Sequence, residues 1–268
     1  MIVPAPLLSV IVPAYREGAR IHDNLVRLLA ELDTIGVAYE VIVISDGNTD
    51  DTTAEAERVP SERLRVLAYP VNEGKGFAIM HGVRHAKGDL IAFIDADMEI
   101  DPSGIERCFA VQREGDWDVV VGSKRHPYSK VSYPRLRRLQ SWIYQILIRL
   151  LFQLDVRDTQ TGLKLFRGDL LRAVVPLLAV KRWAFDLELL VVARKLGFKR
   201  VVEIPITLAY RFETTTSLAG AYYTLWDTAA IFYRLHFLRY YDRRQVQAET
   251  SWMRRKDDAH ELADRDGT

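Results

Sequence analysis

The chain has a single cysteine, Cys108, in 268 residues. A disulfide framework and a thiolate zinc cage within one chain are therefore excluded. Cys108 stands in "IERCFAV", on what reads as a helix face, and is expected to fill core. No stretch of about 18 uncharged apolar residues occurs, so no membrane-spanning helix is expected. The opening "MIVPAPLLSVIVPAY" has neither the charged start nor the small-residue cleavage site of a secretory leader, and a cytoplasmic location is expected. An excess of charge is missing too. With 37 Lys and Arg against 36 Asp and Glu, the net charge is +1, and nothing in the overall balance argues for nucleic acid. His22, His81, His85 and His126 offer no metal-ligand spacing and read as surface or loop residues. Glycines at 74, 76 and 82 break the G-x-G-x-x-G pattern, which counts against a dinucleotide oxidoreductase. One absence is local: no acid occurs between Val119 and Leu154, a stretch holding seven Lys or Arg.

What is present is a regular alternation. The chain is 49% hydrophobic and 27% charged, enough apolar material for one large core. "LLSVIVPAY", "YEVIVISDG", "LRVLAYP", "DLIAFIDAD" and "WDVVVGS" read as buried strands. Between them lie segments with apolar residues at helical spacing, such as "GARIHDNLVRLLAELDTIG" and "GKGFAIMHGVRHAKG". Fully apolar strands alternating with helices predict an α/β fold, its parallel sheet covered on both faces. Such sheets bind ligands beyond the carboxyl ends of their strands. "VPAYRE", "ISDGNTDD" and "IDADME" all fall at those ends and are expected to converge.

"FIDADMEI" poses a chemical problem, because Asp95, Asp97 and Glu99 follow a buried strand on alternate residues. Carboxylates so placed repel one another unless a cation lies between them. An all-oxygen set suits a hard ion, Mg²⁺ or Mn²⁺, completed by water and substrate phosphates.

"SVIVPAYREG", "VIVISDGNTDDT", "NEGKGFAIMHGVRHAKGDLIAFIDADM" and "VVGSKRHP" together resemble the inverting family 2 glycosyltransferases. "DTQTGLKLFR" and "WAFDLELL" narrow the resemblance to the polyprenyl- or dolichyl-phosphate hexose synthases, the dolichyl-phosphate glucosyltransferases and mannose synthases among them. It runs from about Leu7 to Arg211. The resemblance implies the GT-A (nucleotide-diphospho-sugar transferase) fold, a mostly parallel central sheet flanked by helices, with C-terminal amphipathic helices. It implies that Pro13, Tyr15 and Glu17 line the nucleotide pocket and that Asp46 hydrogen-bonds the base. Asp95 and Asp97 match the metal- and donor-binding D-x-D, and Glu99 holds the position of a third metal ligand. Arg211 matches a contact to the donor diphosphate. Ser45 stands where relatives often carry an acid, leaving base recognition to Asp46 alone or with the Ser45 hydroxyl. Asp186 and Glu188 of "FDLE" match a motif at the acceptor end. Two residues apart on a helix they diverge by some 200°, so only one can face the substrate. Asp186 is that candidate, as base for a hydroxyl acceptor or as an orienting group for a phosphate.

The implied donor is UDP-glucose or GDP-mannose, and the implied acceptor is polyprenyl phosphate. A phosphate with second pKa of about 6 is already ionised near neutrality and needs attraction and orientation rather than a base. The acid-free stretch can supply that through Lys124 or Arg125, Arg137 and Arg138, and Arg137 and Ser141 share a helix face resembling an acceptor-phosphate site. "WIYQILIRLLF" and "YYTLWDTAAIFYRLHFLRYY" have the composition of helices lying in a bilayer interface, so peripheral attachment to the cytoplasmic membrane surface is expected. The expected organisation is a catalytic unit over 1–212, an aromatic amphipathic helix over 213–244 and a charged, disordered tail over 245–268. Two rivals remain: a family 2 transferase with a soluble or hydroxyl acceptor, and a non-catalytic nucleotide-sugar-binding protein on the same fold.

Overall fold

The structure, a computed structural model, describes residues 7–129, 135–182, 184–208 and 218–245, with the side chains of 135–141 and 218–222 outside the description. In chain order the elements are β1 (Leu8–Ala14), α1 (Ile21–Thr34), β2 (Tyr39–Asp46), α2 (Thr52–Glu57), β3 (Leu64–Tyr69), α3 (Lys75–His85) and β4 (Leu90–Phe93). There follow α4 (Gly104–Gly115), β5 (Val119–Ser123), α5 (Arg135–Phe152), β6 (Lys164–Arg167), α6 (Gly168–Val174), α7 (Phe185–Lys195), β7 (Val201–Pro205) and α8 (Leu218–His236).

The strands form one seven-stranded sheet in the order β3-β2-β1-β4-β6-β5-β7. All neighbours run parallel except β6, which is antiparallel to both β4 and β5. The expected α/β architecture with a mostly parallel sheet is what forms. β1 and β2 are apolar on both sides because helices cover both faces. Ile11, Ile42 and Ile44 point into a core shared with α3, α6 and α7. Val10, Val12, Val41 and Val43 point the other way, onto α1, α2 and α4, and Cys108 is buried there as filler. Gly82 lets α3 approach the sheet, since a Cβ there would lie 2.6 Å from Ile11 Cγ2.

The chain leaves β1 for β2 on one side and returns to β4 on the other. This puts the sheet's switch point, where α/β proteins bind ligands, between the carboxyl ends of β1 and β4. β6 was not anticipated as a strand. Its reversed direction brings its first residue, Lys164, opposite Phe93 at the carboxyl end of β4 and opposite Val121 of β5. The "DTQTGLK" segment is thereby delivered to the same rim as the acidic loops. The aromatic C-terminal helix is shorter than the sequence suggests: α8 stops at His236, and Arg239 adopts a positive φ of 47° before the next helical turn.

Candidate active site

The carboxyl ends of β1, β2 and β4 open into a pocket of about 650 Å³. Pro13, Tyr15, Glu17, Asp46, Asp95, Asp97 and Asp186, all singled out from the sequence, line it together. Gln160 of "DTQTG" joins them, and Asn72, Lys75 and Arg182, which sequence reasoning did not assign to the site, complete the wall. A second depression of about 600 Å³ lies at the amino ends of β2 and β3. Its two arginines are committed to neighbours: Arg63 to Asp33, and Arg65 to Glu40 at 2.8 Å and to the carbonyl of His85.

The first two loops are stitched to each other. Glu17 N–H donates to Thr52 Oγ1 at 2.8 Å and Gly18 N–H to Asp50 Oδ2 at 3.1 Å, so "AYREG" is held by "GNTDDT". Arg16 takes a positive φ of 59° at this turn, its guanidinium 5.1 Å from the Tyr15 ring centre. Burial raises the Glu17 carboxyl above its ordinary range, with Arg20, its ion-pair partner, pulling the other way. Asp46, buried at the end of β2, accepts from Glu73 N–H at 2.7 Å, Gly74 N–H at 2.9 Å and Asn72 Nδ2 at 3.2 Å. It shapes the "NEG" loop as much as it faces the pocket. The Ser45 hydroxyl is buried and accepts from Thr53 Oγ1 at 2.9 Å, which ties it to α2 instead of the pocket.

β4 ends at Phe93, and the acidic segment beyond it is a turn, not a strand extension. Met98 N–H bonds back to Asp95 O at 3.1 Å, and Met98 has a positive φ of 49°. Strict side-chain alternation therefore stops, and the three acids do not point together as alternate strand residues would. Asp95 and Asp97 line the pocket, whereas Glu99 Oε2 accepts from Lys124 Nζ at 3.0 Å. Among the described residues no group of three or more His, Cys, Asp or Glu is gathered to hold a metal ion. The pocket does contain an unbalanced acid. Burial raises the Asp97 carboxyl above the usual carboxylate range, and although the Glu99 N–H and the Arg20 charge lower it, the charges of Asp95 and Glu99 add to the rise. Burial also opposes ionisation of Asp95, but Lys75, its ion-pair partner, together with the charges of Lys164 and Lys124 holds that carboxyl below the usual range. Two carboxylates on an open wall, one of them short of positive charge, fit a hard cation that takes its remaining ligands from phosphate and water.

"DTQTGLK" closes the opposite wall. A Cβ at Gly162 would lie 2.1 Å from Asp95 Oδ2, so only glycine lets the carboxylate sit there. Lys124 N–H donates to Asp158 Oδ2 at 2.9 Å. Arg125 Nη1 reaches Gln145 Oε1 at 3.0 Å and the Arg157 carbonyl at 2.8 Å, fastening this loop to α5. Arg137 and Ser141 lie within α5 and Arg138 beside them, but their side chains are outside the description, and Arg211 lies outside the described residues altogether.

The two acids of "FDLE" diverge as helix geometry requires. Asp186 lines the pocket and accepts from Lys164 Nζ at 2.6 Å. Glu188 is fully buried behind it, accepting from Ala179 N–H at 2.9 Å, Val180 N–H at 2.7 Å and the Tyr241 hydroxyl at 2.6 Å. The first residue of α7 also packs on the "GKG" segment: a Cβ at Gly76 would lie 2.6 Å from the Phe185 ring.

Beside the pocket, α5 and α8 meet through Tyr144 and Thr228, whose hydroxyls are 2.9 Å apart, and through the Phe152 and Phe232 rings. Their outer faces are apolar: Trp142, Ile146 and Leu150 on α5, and Trp226 and Tyr233 on α8, are exposed at helical spacing. No helix among the described residues is long and apolar enough to cross a membrane.

Comparison with known proteins agrees with this geometry. The chain is 34% identical over 216 residues to glycosyltransferase AglD of Haloferax volcanii, a match covering 79% of this chain and 34% of that protein. It is 34% identical over 207 residues to a dolichyl-phosphate beta-glucosyltransferase of Dictyostelium discoideum, covering 71% of this chain and 63% of the relative. The match thus spans about a third of the first relative and just under two thirds of the second. A dolichyl-phosphate beta-glucosyltransferase of Trichomonas vaginalis is 31% identical over 88% of this chain and 77% of its own length. Among solved structures, glucosyl-3-phosphoglycerate synthase from Mycobacterium tuberculosis, in complex with Mn²⁺, UDP and phosphoglyceric acid, superposes with a TM-score of 0.65 at 20% identity over 85% of this chain and 78% of its own. That likeness establishes the fold. The model of Glycosyl transferase family 2 matches residues 9–175, more than half of the chain, and the chain belongs to that family.

Proposed function

We propose that this glycosyltransferase moves glucose, with inversion, from UDP-glucose to the phosphate of a polyprenyl phosphate at a membrane surface. The observation that carries the reading is the Asp95–Asp97 turn opening into a pocket whose far wall is the "DTQTGLK" and "FDLE" pair of motifs. The kinship with dolichyl-phosphate beta-glucosyltransferases supports glucose over mannose and a lipid phosphate over a soluble acceptor.

In this reading Pro13, Tyr15 and Glu17 flank the nucleoside, and Asp46 holds the "NEG" loop beneath it while presenting its remaining lone pairs to the base. Asp95 and Asp97 would hold Mg²⁺ or Mn²⁺. Glu99, paired with Lys124, supports the turn from behind. When bound, the ion neutralises the leaving diphosphate as a Lewis acid. Arg211 and Arg182 add cationic contacts near the departing diphosphate. The sugar carbon passes through an oxocarbenium-like state, and the incoming phosphate oxygen, already ionised, attacks the face opposite the leaving group. Lys124, Arg125, Arg137 and Ser141 belong to the rim that receives this phosphate. The exposed aromatic faces of α5 and α8 lie in the lipid interface, which brings the polyprenyl headgroup to the pocket mouth.

Transfer of radiolabel from UDP-glucose and GDP-mannose to a short polyprenyl phosphate with Mn²⁺, beside Asp97→Ala, tests the reading. It expects lipid-phase label from UDP-glucose that chelator and Asp97→Ala both abolish. Label from GDP-mannose alone would overturn the donor, and donor hydrolysis without lipid label would overturn the acceptor. Donor binding with neither hydrolysis nor transfer would point to a non-catalytic binding protein.

A further inference from the structure

Lys164 is a lysine where a hydrophobic residue would pack more cheaply. It opens β6 between Leu163 and Leu165 and is 1% exposed. Its strand partners are Phe93 and Val121. Its ammonium donates to the Thr161 carbonyl and to Asp186 Oδ1, both at 2.6 Å. Burying an ammonium is costly before pairing, and a buried ion pair seldom stabilises a fold more than well-packed apolar residues would. A pair retained at that cost, with one partner on the pocket wall, calls for an explanation in the site's chemistry.

Electrostatics at the acceptor end supplies one. Asp186 lines the same pocket as Asp95 and Asp97, and an incoming phosphate brings further negative charge. A bare carboxylate there would repel the acceptor. With Lys164 behind it, Asp186 contributes almost no net charge yet keeps a second oxygen free to orient a hydroxyl or an ammonium. Asp186 Oδ1 is occupied by a cation that water does not reach.

We propose that Lys164 is a positioning residue of the active site: it fixes the Asp186 carboxylate and cancels its charge, so that the acceptor end admits an anion. The charge-cancelling part rests on the phosphate-acceptor reading above; the coupling to Asp186 does not. Antiparallel β6 is what makes this possible, because a parallel strand in that slot would put its first residue at the far edge of the sheet.

The test is a double-mutant cycle with Lys164→Met and Asp186→Asn, read as separate KM values for UDP-glucose and for a short polyprenyl phosphate, alongside kcat. Lys164→Met is expected to raise the acceptor KM at least about tenfold, the scale of one uncompensated charge a few ångströms away at a partly solvated site. The donor KM should stay within about threefold. Adding Asp186→Asn should bring the acceptor KM back to that of Asp186→Asn alone. A staple of purely structural use would lower thermal stability and move both KM values together, or neither, and that result overturns the proposal. Should Lys164→Met fail to fold, the uncharged double variant against Asp186→Asn decides: equal kinetics uphold the coupling, and a further loss refutes it. If the wild type uses a neutral hydroxyl acceptor, the phosphate reading and the charge-cancelling role fall together. The cycle, repeated with that acceptor, still tests the coupling, and additive losses would refute it.

Discussion

Gly162→Ala separates the site from the scaffold. The new methyl would stand 2.1 Å from Asp95 Oδ2 and 2.6 Å from its Cγ, closer than real Cβ contacts come. The cheapest relief is rotation of the Asp95 carboxylate by about an ångström, since a side-chain end yields more readily than backbone. A misplacement of that size at a reacting centre costs about 10²-fold in rate, or about 2.7 kcal/mol of transition-state stabilisation. The fold has little reason to suffer, because no core atom is touched. Gly122→Ala is the contrasting control: its methyl would meet Ile206 Cγ2 at 2.7 Å inside the sheet, where overpacking costs about 1–3 kcal/mol of stability. Transfer kinetics over a Mn²⁺ titration, with thermal melts of both variants, read the difference. Gly162→Ala should lose about two orders of magnitude in kcat/KM, require more Mn²⁺ and melt close to wild type. Activity within threefold of wild type at unchanged Mn²⁺ demand would refute the placing of Asp95 at the metal.

Three further outcomes follow from the packing and the charges. Glu188→Ala leaves the Ala179 and Val180 N–H groups and the Tyr241 hydroxyl without their acceptor, and should cost about 3–5 kcal/mol in urea unfolding. Burial, helped by the charges of His85 and Arg84, lowers the His81 imidazole below its ordinary value, so the unfolded chain binds its proton first as pH falls. Stability from this group is present above about pH 6.5 and is lost as pH drops through that value toward the lowered folded one; His81→Gln should flatten the difference between urea midpoints at pH 7.5 and 5.5. Replacing exposed Trp142 and Trp226 together by Ser should reduce cosedimentation with anionic vesicles about tenfold or more while leaving the melt unchanged.

The sheet was legible because β-branched runs such as "VIVPA" and "VIVIS" can only be strands buried on both faces, and because their acidic ends then had to meet. The site followed for the same reason: Pro13, Tyr15, Asp46, Asp95 and Asp97 converge through topology. β6 was not legible. Four residues, "KLFR", with a lysine at their head carry no period, and their pairing depends on β4 and β5, far away in the chain. Lys164 was therefore missed as well, although a lysine flanked by Leu163 and Leu165 in an apolar run was a signal of burial against a partner. The D-x-D-x-E spacing implied strand alternation, but Met98 in a left-handed conformation turns the chain and leaves Glu99 to Lys124. "FDLE" came through because two residues on a helix must diverge, and Asp186 and Glu188 do.

The most direct test of the account is ³¹P and ¹H NMR of the wild-type enzyme with UDP-glucose, Mn²⁺ and a water-dispersible short polyprenyl phosphate. The account predicts loss of the phosphomonoester signal in step with UDP release, a new phosphodiester, and glucose attached in the inverted β configuration. An unchanged phosphomonoester while UDP-glucose is consumed, or an α-linked product, would contradict it.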